Sequence, residues 1–178
     1  MLPDDFDTLE SERLVLTTLS RGDEARLQAV FEACRDFFQV LHAQPGPPPD
    51  AAAQELASAA ATPGRAAAVL SLAETGEDVG AIGWWRGNPS ADRTLLGMLM
   101  VAPEHRKQGL AREALGALEV WLAGHGTAAL RTAFPYRRIH VPPIVRAFGF
   151  RELPIREHTA LGMSHAGTWL WEKPVGGG

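Results

Sequence analysis

The chain has 178 residues, a hydrophobic content of 46% and a formal net charge of -4 at pH 7. This length predicts a single domain over residues 1–178, with flexible tails at residues 1–11 and 174–178. The acidic charge argues against a nucleic-acid partner held by bulk electrostatics.

Three classes of protein do not fit the rest of the sequence. No apolar run is long enough to cross a bilayer, and the N-terminus is acidic and unlike a signal segment, so we expect a cytoplasmic protein with no membrane partner. The single cysteine, Cys34, cannot form an internal disulfide. Because no Cys/His cluster has the spacing of metal ligands, we predict no metal site.

The first third of the chain predicts one strand followed by helices. Glu12 to Leu19 alternates apolar and polar side chains, as a half-buried strand does. Ser20 is a good N-cap residue, with acidic residues where the first turn of a helix would lie. We therefore predict helices over Ala25–Cys34, over a short stretch holding Phe37, Phe38 and Leu41, and over Asp50–Ala61 with Asp50 as its cap.

The next stretch predicts an antiparallel hairpin. Ala67–Ala73 and Val79–Trp85 are two apolar runs separated by a turn that contains one glycine. Successive side chains of a strand point to opposite faces, so Trp84 and Trp85 lie on different sides of the sheet. We expect one of them in the core and the other at the border of a pocket.

The centre of the chain predicts a strand, a basic turn and a helix. Leu95–Val101 is a continuous apolar run, typical of a strand buried on both faces, and Pro103 ends it. The polar and basic residues Glu104–Gly109 follow. From Leu110 to Gly124 the apolar side chains recur at helical spacing.

This unit is suited to holding an anion. The first turn of a helix has unpaired backbone N–H groups and partial positive charge. Gly109 lets the backbone approach a ligand closely, and Arg106, Lys107 and Arg112 add charge for phosphate oxygens. The stretch lacks the Gly-Lys-Ser/Thr of a nucleotide-triphosphate loop and the three-glycine spacing of a dinucleotide site. A ligand with a pyrophosphate or several phosphates is therefore predicted.

The last third predicts a strand, a helix and a final hairpin. Ala128–Phe134 has the pattern of a strand, and the basic loop Tyr136–His140 follows it. Pro142 and Pro143 suit the start of a helix that ends at Gly149, with an apolar face made of Ile144, Val145 and Phe148. Thr168–Glu172 alternates and predicts the second strand of the hairpin.

Two motifs in these elements resemble those of the GNAT acyltransferases. Arg106-Lys107-Gln108-Gly109-Leu110-Ala111 resembles that family's Arg/Gln-x-x-Gly-x-Gly/Ala turn, and Val101-Ala102-Pro103 is similar to its strand exit. Ala147-Phe148-Gly149-Phe150 is similar to its late helix ending in Gly-Phe. The order of predicted elements agrees over nearly the whole chain.

The resemblance implies an α/β (α+β) fold with a mixed, mostly antiparallel central sheet of about seven strands flanked by helices. It also implies a splayed strand pair that admits an acyl-CoA. Here that pair is Leu95–Val101 and Ala128–Phe134, which should begin as neighbours and separate near their C-terminal ends.

The resemblance further implies acetyl-CoA as co-substrate and an amine of a metabolite, antibiotic, peptide or protein as acceptor, in a monomer or homodimer. The pyrophosphate would lie on the turn formed by Arg106, Lys107, Gln108, Gly109, Leu110, Ala111 and Arg112. The pantetheine and thioester would meet backbone groups of Leu99, Met100 and Val101.

The chain departs from the family where protons are transferred. The family often has an Asn before the late helix and a Tyr inside it, whereas this sequence has Arg138 and Val145 near those places. We predict Tyr136, the only tyrosine, as the acid; its alternative role is packing. His140 is a candidate base, and its alternative role is that of a polar group at the helix entry. Leu95–Val101 carries no carboxylate, so water or an acceptor that arrives neutral is the other source of a free amine. A non-catalytic acyl-CoA sensor is the alternative function.

Overall fold

A computed structural model describes residues 6–154, 156–157 and 167–176. The strands in this part of the chain are β1 (Thr8–Glu10), β2 (Leu14–Thr18), β3 (Arg65–Leu72), β4 (Asp78–Arg86), β5 (Arg93–Val101), β6 (Ala129–Pro135), β7 (Arg151–Glu152) and β8 (Thr168–Pro174). The helices are α1 (Glu24–Ala33), α2 (Arg35–Phe37), α3 (Ala51–Ala61), α4 (Leu110–Gly124) and α5 (Val141–Ala147). A π-helical turn, Phe38–His42, continues α2, and a 3₁₀ turn, Pro103–His105, precedes α4.

The described strands form one sheet in the order β1-β2-β3-β4-β5-β6-β8-β7. Neighbouring strands are antiparallel except β5 and β6, which run parallel. The predicted mixed, mostly antiparallel sheet flanked by helices is confirmed. Within the described residues the sheet has eight strands, where about seven were predicted. The two edge strands, β1 and β7, are only three and two residues long.

The predicted separation of β5 and β6 is also confirmed. They pair at Arg93 with Ala129, Thr94 with Leu130, and Leu95 with Arg131. β5 continues to Val101 and β6 to Pro135, but their pairing does not extend beyond Leu95. A gap therefore opens in the middle of the sheet toward the C-terminal ends of both strands.

Each face of the sheet carries its own core. On one face, the apolar stripe of α4, including Leu115, Leu118 and Leu122, packs in the same cluster as Leu16 and Ile82. The other face carries α1 and α3, whose buried residues include Leu27, Phe31 and Leu56. The sheet is covered on both sides, which explains why β3, β4 and β5 are nearly continuous apolar runs in the sequence.

The two tryptophans of β4 divide between these faces as predicted. Trp84 is buried on the α4 face, stacked on Phe6 with Trp121 nearby. Trp85 is half-buried and borders a cavity on the opposite face.

Both chain ends are more structured than predicted. Thr8–Glu10 forms β1 against β2, and Phe6 packs on Trp84, so residues 6–11 are not a flexible tail. β8 runs to Pro174, and the backbone N–H of Val175 donates to the carbonyl of Ala128. Residues 1–5 and 177–178 lie outside the described residues.

Two local predictions about helices were wrong. The N-cap position of α1 is Asp23, not Ser20; the Asp23 carboxylate accepts from the backbone N–H of Ser20, which closes the preceding turn. Ile144 is 54% exposed, because the buried side of α5 is made by Val141 and Pro142 at its start.

We expect Gly80 to be required where β4 passes β5. A Cβ added there would lie 2.3 Å from the carbonyl oxygen of Met100, a backbone atom that cannot rotate away. Gly80→Ala should therefore lower the free energy of unfolding by about 1–3 kcal/mol, measured by urea denaturation. Gly116→Ala is the matched control: its Cβ would meet nothing within 4 Å in α4, so it should be neutral or stabilise by about 0.5–1 kcal/mol. Equal effects of the two substitutions would contradict the close approach.

Candidate active site

The turn between β5 and α4 has an unusual backbone conformation. Lys107 has φ +62° and Gly109 has φ +83°, both in the left-handed region. The first regular hydrogen bond of α4 joins the N–H of Glu113 to the carbonyl of Gly109. The backbone N–H groups of residues 107–112 have no acceptor within the described part of the chain. They form a group of free donors at the N-terminus of a 15-residue helix, as an anion site requires.

This turn is held from behind by a clamp that we define as Ser11, Arg13 and Glu113. The Glu113 carboxylate accepts from the backbone N–H of Arg13 at 2.6 Å, from Arg13 Nε at 2.7 Å and from Ser11 Oγ at 2.8 Å. Arg13 Nη1 then donates to the carbonyl of Gln108 at 2.9 Å. The clamp therefore ties the β1–β2 connection to residues 106–112, which we name the anion-binding turn after their predicted role.

The clamp persists at neutral pH because its carboxylate ionises easily. Burial opposes ionisation of Glu113, but the hydrogen bonds from the Arg13 backbone and Ser11, together with the Arg13 charge, outweigh it and lower its pKa. The stabilisation is therefore present above the ordinary pKa of a glutamate and is lost only as the pH falls through the lowered value.

Arg106, predicted to contact phosphate, has its guanidinium engaged within the protein. Its Nε donates to the carbonyl of Val101 at 2.7 Å, and Nη1 and Nη2 both donate to the Asp36 carboxylate. This hydrogen-bonded pairing outweighs burial and lowers the pKa of Asp36. The side chain thus ties the end of β5 to α2, and its role in a phosphate site would be to fix the turn.

The other two basic side chains of the turn differ in whether they already have a partner within the protein. Arg112 Nη2 donates to the carbonyl of Ala147 at 2.7 Å, and its guanidinium lies 5.5 Å from the centre of the Phe148 ring. Lys107 is exposed, and its ammonium has no partner among the described residues. Lys107 is therefore the basic side chain that is available to a bound anion.

The backbone of β5 divides the three residues predicted to meet the pantetheine. The Ala102 N–H donates to the carbonyl of Val79 at 2.8 Å, and the Met100 carbonyl lies against Gly80. Backbone polar groups alternate sides along a strand, so Met100 faces β4, whereas Leu99 and Val101 face the gap. The prediction for the Met100 backbone was wrong for this reason. The Val101 carbonyl already accepts a hydrogen bond from Arg106. The backbone N–H and carbonyl of Leu99 therefore remain as free groups at the gap.

A bulge in β5 lies next to this free edge. Gly83 pairs with Met98 and Trp84 with Leu96, so Gly97 has no partner on β4. An extra residue of this kind bends the strand and re-aims its neighbours. Gly97 is exposed and lies at the wall of the cavity that Trp85 borders.

That cavity has a volume of about 570 Å³ and lies between the sheet and helices α1 to α3. Its wall on the helix side includes Phe31, Phe37, Phe38, His42 and Glu55, and its wall on the sheet side includes Arg65, Trp85, Leu95, Gly97, Met98 and Met100. We name it the sheet-face cavity. It reaches β5 from the face opposite to α4.

Sequence patterns did not identify the polar groups of this cavity. Glu55 and Arg65 form an ion pair of 2.8 Å, and His42 lies beside the rings of Phe37 and Phe38. Burial and the charge of Arg138 lower the pKa of His42, so its imidazole is neutral at pH 7. These residues lie on three different elements that only the packed fold brings to one cavity, and no local motif connects them.

Tyr136 and His140 do not line the sheet-face cavity. The Tyr136 ring packs edge-on against Trp169 at 5.3 Å, and its backbone N–H donates to the carbonyl of Gly167. His140 occupies the N-cap position of α5 and is exposed. Both residues follow the C-terminal end of β6, beside the gap, and their proposed roles as acid and base stay predictions.

Other kinds of site find no support among the described residues. No group of three or more His, Cys, Asp or Glu side chains in this part of the chain has the arrangement of a metal site. Cys34 is buried, and burial raises the pKa of its thiol to about 11, so it is not a reactive thiolate. None of the described helices is both long and apolar enough to cross a membrane.

We predict that Glu113→Ala weakens the affinity for acetyl-CoA, the ligand expected from the sequence, because Arg13 then loses the carboxylate that aims it at Gln108. We expect the dissociation constant to rise by about three- to tenfold, the equivalent of one ordinary hydrogen bond of about 1 kcal/mol, because the lost contact shapes the turn and does not itself touch the ligand. Titration calorimetry measures this. Glu74→Ala, the same substitution in the exposed β3–β4 turn, should leave the affinity unchanged. An unchanged affinity in Glu113→Ala would show that the turn holds its shape without the clamp.

Comparison with protein families places these features in a known context. The family model described as "Acetyltransferase (GNAT) family" matches residues 27–138, which include β5, the anion-binding turn and α4. No curated protein matches the chain.

Solved structures of similar fold cover almost the whole chain. An acetyltransferase from Thermus thermophilus has a TM-score of 0.73 and 23% identity over 92% of this chain and 97% of its own. A probable acetyltransferase of the GNAT family from Chromobacterium violaceum has a TM-score of 0.75 and 19% identity over 96% and 87%. Spermidine N-acetyltransferase from Vibrio cholerae, solved with CoA and spermine, has a TM-score of 0.65 and 12% identity over 93% and 97%. At these identities the similarity shows the fold.

Proposed function

Because this chain belongs to the GNAT acetyltransferase family, we propose that it transfers the acetyl group of acetyl-CoA to a primary amine. The observation that carries the proposal is the position of two sets of free backbone groups at one end of one strand. The unpaired N–H groups of residues 107–112 follow the C-terminal end of β5, and the free edge of β5 itself borders the gap.

The anion-binding turn fits the pyrophosphate of acetyl-CoA. Its N–H groups lie at the positive end of α4, and the Lys107 ammonium has no partner among the described residues. Arg106 and Arg13 contribute by holding the turn through Val101 and Gln108. This division explains how a chain with a net charge of -4 can bind a polyanion: the binding groups are mostly uncharged amides.

The gap between β5 and β6 fits the pantetheine arm. The Leu99 N–H and carbonyl face it and, as inner-strand backbone groups, need partners that β6 does not supply. Acetyl-CoA supplies a thioester, whose C–S bond breaks as the amine nitrogen bonds to the acyl carbon and the sulfur takes a proton. The residues of the chain position the reactants and direct the protons.

The acceptor amine must lose its own proton before it attacks. We propose that the sheet-face cavity holds the acceptor. Its wall reaches β5 at Gly97, whereas the anion-binding turn, which would hold the phosphates of the cofactor, lies beyond the C-terminal end of β5. β5 carries no carboxylate, and His42 is a neutral imidazole on the cavity wall. We propose that water removes the amine proton and that Tyr136 protonates the sulfur, with His140 and His42 as the alternative bases.

The first test is binding and turnover of acetyl-CoA. We expect binding by titration calorimetry and release of free thiol in the presence of an amine panel. Gly109→Val should raise the dissociation constant by at least about tenfold, because a β-branched residue resists φ +83° and the N–H groups around it would turn away.

Gly126→Val is the matched control for this variant. Gly126 has φ +84° at the other end of α4, with nothing within 4 Å of its Cβ position, so it incurs similar backbone strain. Its affinity for acetyl-CoA should be unchanged. Equal affinities in both variants would remove the cofactor assignment, whereas binding without turnover on any amine would favour the non-catalytic sensor.

A second test concerns the protons. An aliphatic amine with a pKa near 10 is only about a thousandth neutral at pH 7, so with water as base the rate should climb toward the pKa of the amine. A histidine base instead gives a plateau above about pH 7. Tyr136→Phe should lower kcat by a factor on the order of 10²–10⁴ with little change in affinity for acetyl-CoA. Normal turnover of that variant at every pH would show that Tyr136 only packs against Trp169.

A further inference from the structure

The sheet-face cavity has a distinctive chemical lining. Aromatic rings border it from two sides: Phe37 and Phe38 from the helix side and Trp85 from the sheet. Met98 and Met100 line the same sheet wall with flexible thioether side chains. Thioethers and aromatic rings both make favourable contacts with an aromatic ring. The lining is thus suited to a flat apolar body.

The charges of the cavity cancel. Glu55 is its one described carboxylate, and it is paired with Arg65 at 2.8 Å, with both side chains less than a third exposed. The third titratable group, His42, is neutral at pH 7 because burial and the Arg138 charge lower its pKa. Asp36, on nearby α2, is paired with Arg106. A substrate with several positive charges would therefore find no unpaired carboxylate on the described wall.

The cavity also has a direction. Gly97, Met98 and Met100 place one side of it on β5, the strand whose unpaired edge borders the gap. Glu55 on α3 and Arg65 on β3 form another part of its wall, and β4 separates β3 from β5 in the sheet. An amine at the β5 side would reach the thioester, while the remainder of the molecule would lie among the rings. The volume of about 570 Å³ is that of a small-molecule site.

We propose that the acceptor is an arylalkylamine: a primary amine joined by a short carbon chain to an aromatic ring. This inference rests on the proposed acetyl transfer and specifies its substrate class. The ring contacts Phe37 and Trp85, and the short chain carries the amine to β5 beside Gly97. The Glu55–Arg65 pair accepts or donates a hydrogen bond to a neutral polar substituent on the ring.

The test compares acceptors of matched size. We expect kcat/KM for 2-phenylethylamine and tryptamine to exceed that for octylamine, which has as many non-hydrogen atoms as 2-phenylethylamine, by about three- to tenfold, the value of an aromatic contact. The excess over spermidine should be larger, at least about tenfold, because its additional charges would be buried without partners. Thiol release measures all four.

Variants of the rings test the location. Trp85→Leu and Phe37→Leu keep an apolar side chain but remove the ring, so each should raise KM for tryptamine about three- to tenfold and leave KM for acetyl-CoA unchanged. Val40→Ala is the control: Val40 lies in the π-helical turn that follows Phe37 but does not line the cavity. Calorimetric titration of tryptamine into the CoA-bound protein should show the same loss of affinity without any turnover.

The outcomes separate the two proposals. Equal or better turnover of spermidine or of a lysine peptide would overturn the acceptor class and leave acetyl transfer standing. Unchanged tryptamine KM in both ring variants would place the acceptor elsewhere. If acetyl-CoA binds but no amine of the panel is acetylated or bound, the proposed function itself fails.

Discussion

The proposed site depends on one constraint: β5 is an inner strand that is paired on only one edge beyond Leu95. Backbone groups of an inner strand are costly to leave without partners, so the protein or a ligand must supply them. Arg106 satisfies the carbonyl of Val101 from within the chain. The Leu99 backbone faces the same gap, and β6 has already separated from it. The fold therefore holds open a place that fits another extended chain, such as the pantetheine arm of the proposed co-substrate.

The basic residues around the turn work mainly by fixing the backbone. Arg106 links β5 to Asp36 on α2, Arg13 links the Gln108 carbonyl to Glu113, and Arg112 holds the end of α5 at Ala147. Each is a hydrogen bond of a charged group, the stronger kind. Three separate elements thus converge on one turn, and the N–H groups they orient remain free. The Asp36–Arg106 pair also joins α2, which borders the sheet-face cavity, directly to the anion-binding turn.

Elements with a strong local signal could be predicted from the sequence. The continuous apolar run of β5, the helical stripe of α4 and the glycine turn between them were all identified, and the family resemblance supplied the separation of β5 from β6. Contacts between distant residues could not be predicted: Arg106 meets a carboxylate 70 positions away, and no periodicity reports that pairing. The cavity groups His42, Glu55 and Arg65 are nearer to each other in sequence, but they lie on three different elements that only tertiary packing brings to one cavity, so no local pattern identified them. β1 was missed because three partly exposed residues have no strand signature of their own.

Backbone NMR of the protein during titration with CoA tests the central claim most directly, since it reads each amide separately. We predict the largest shifts at the N–H groups of Gln108, Gly109 and Leu110 and at Leu99 on the free edge of β5. The amide signal of Thr18, at the end of β2 away from Arg13 and three strands from β5, should not shift. Binding that shifts other amides while those of the turn and of Leu99 stay unchanged would contradict the proposed site.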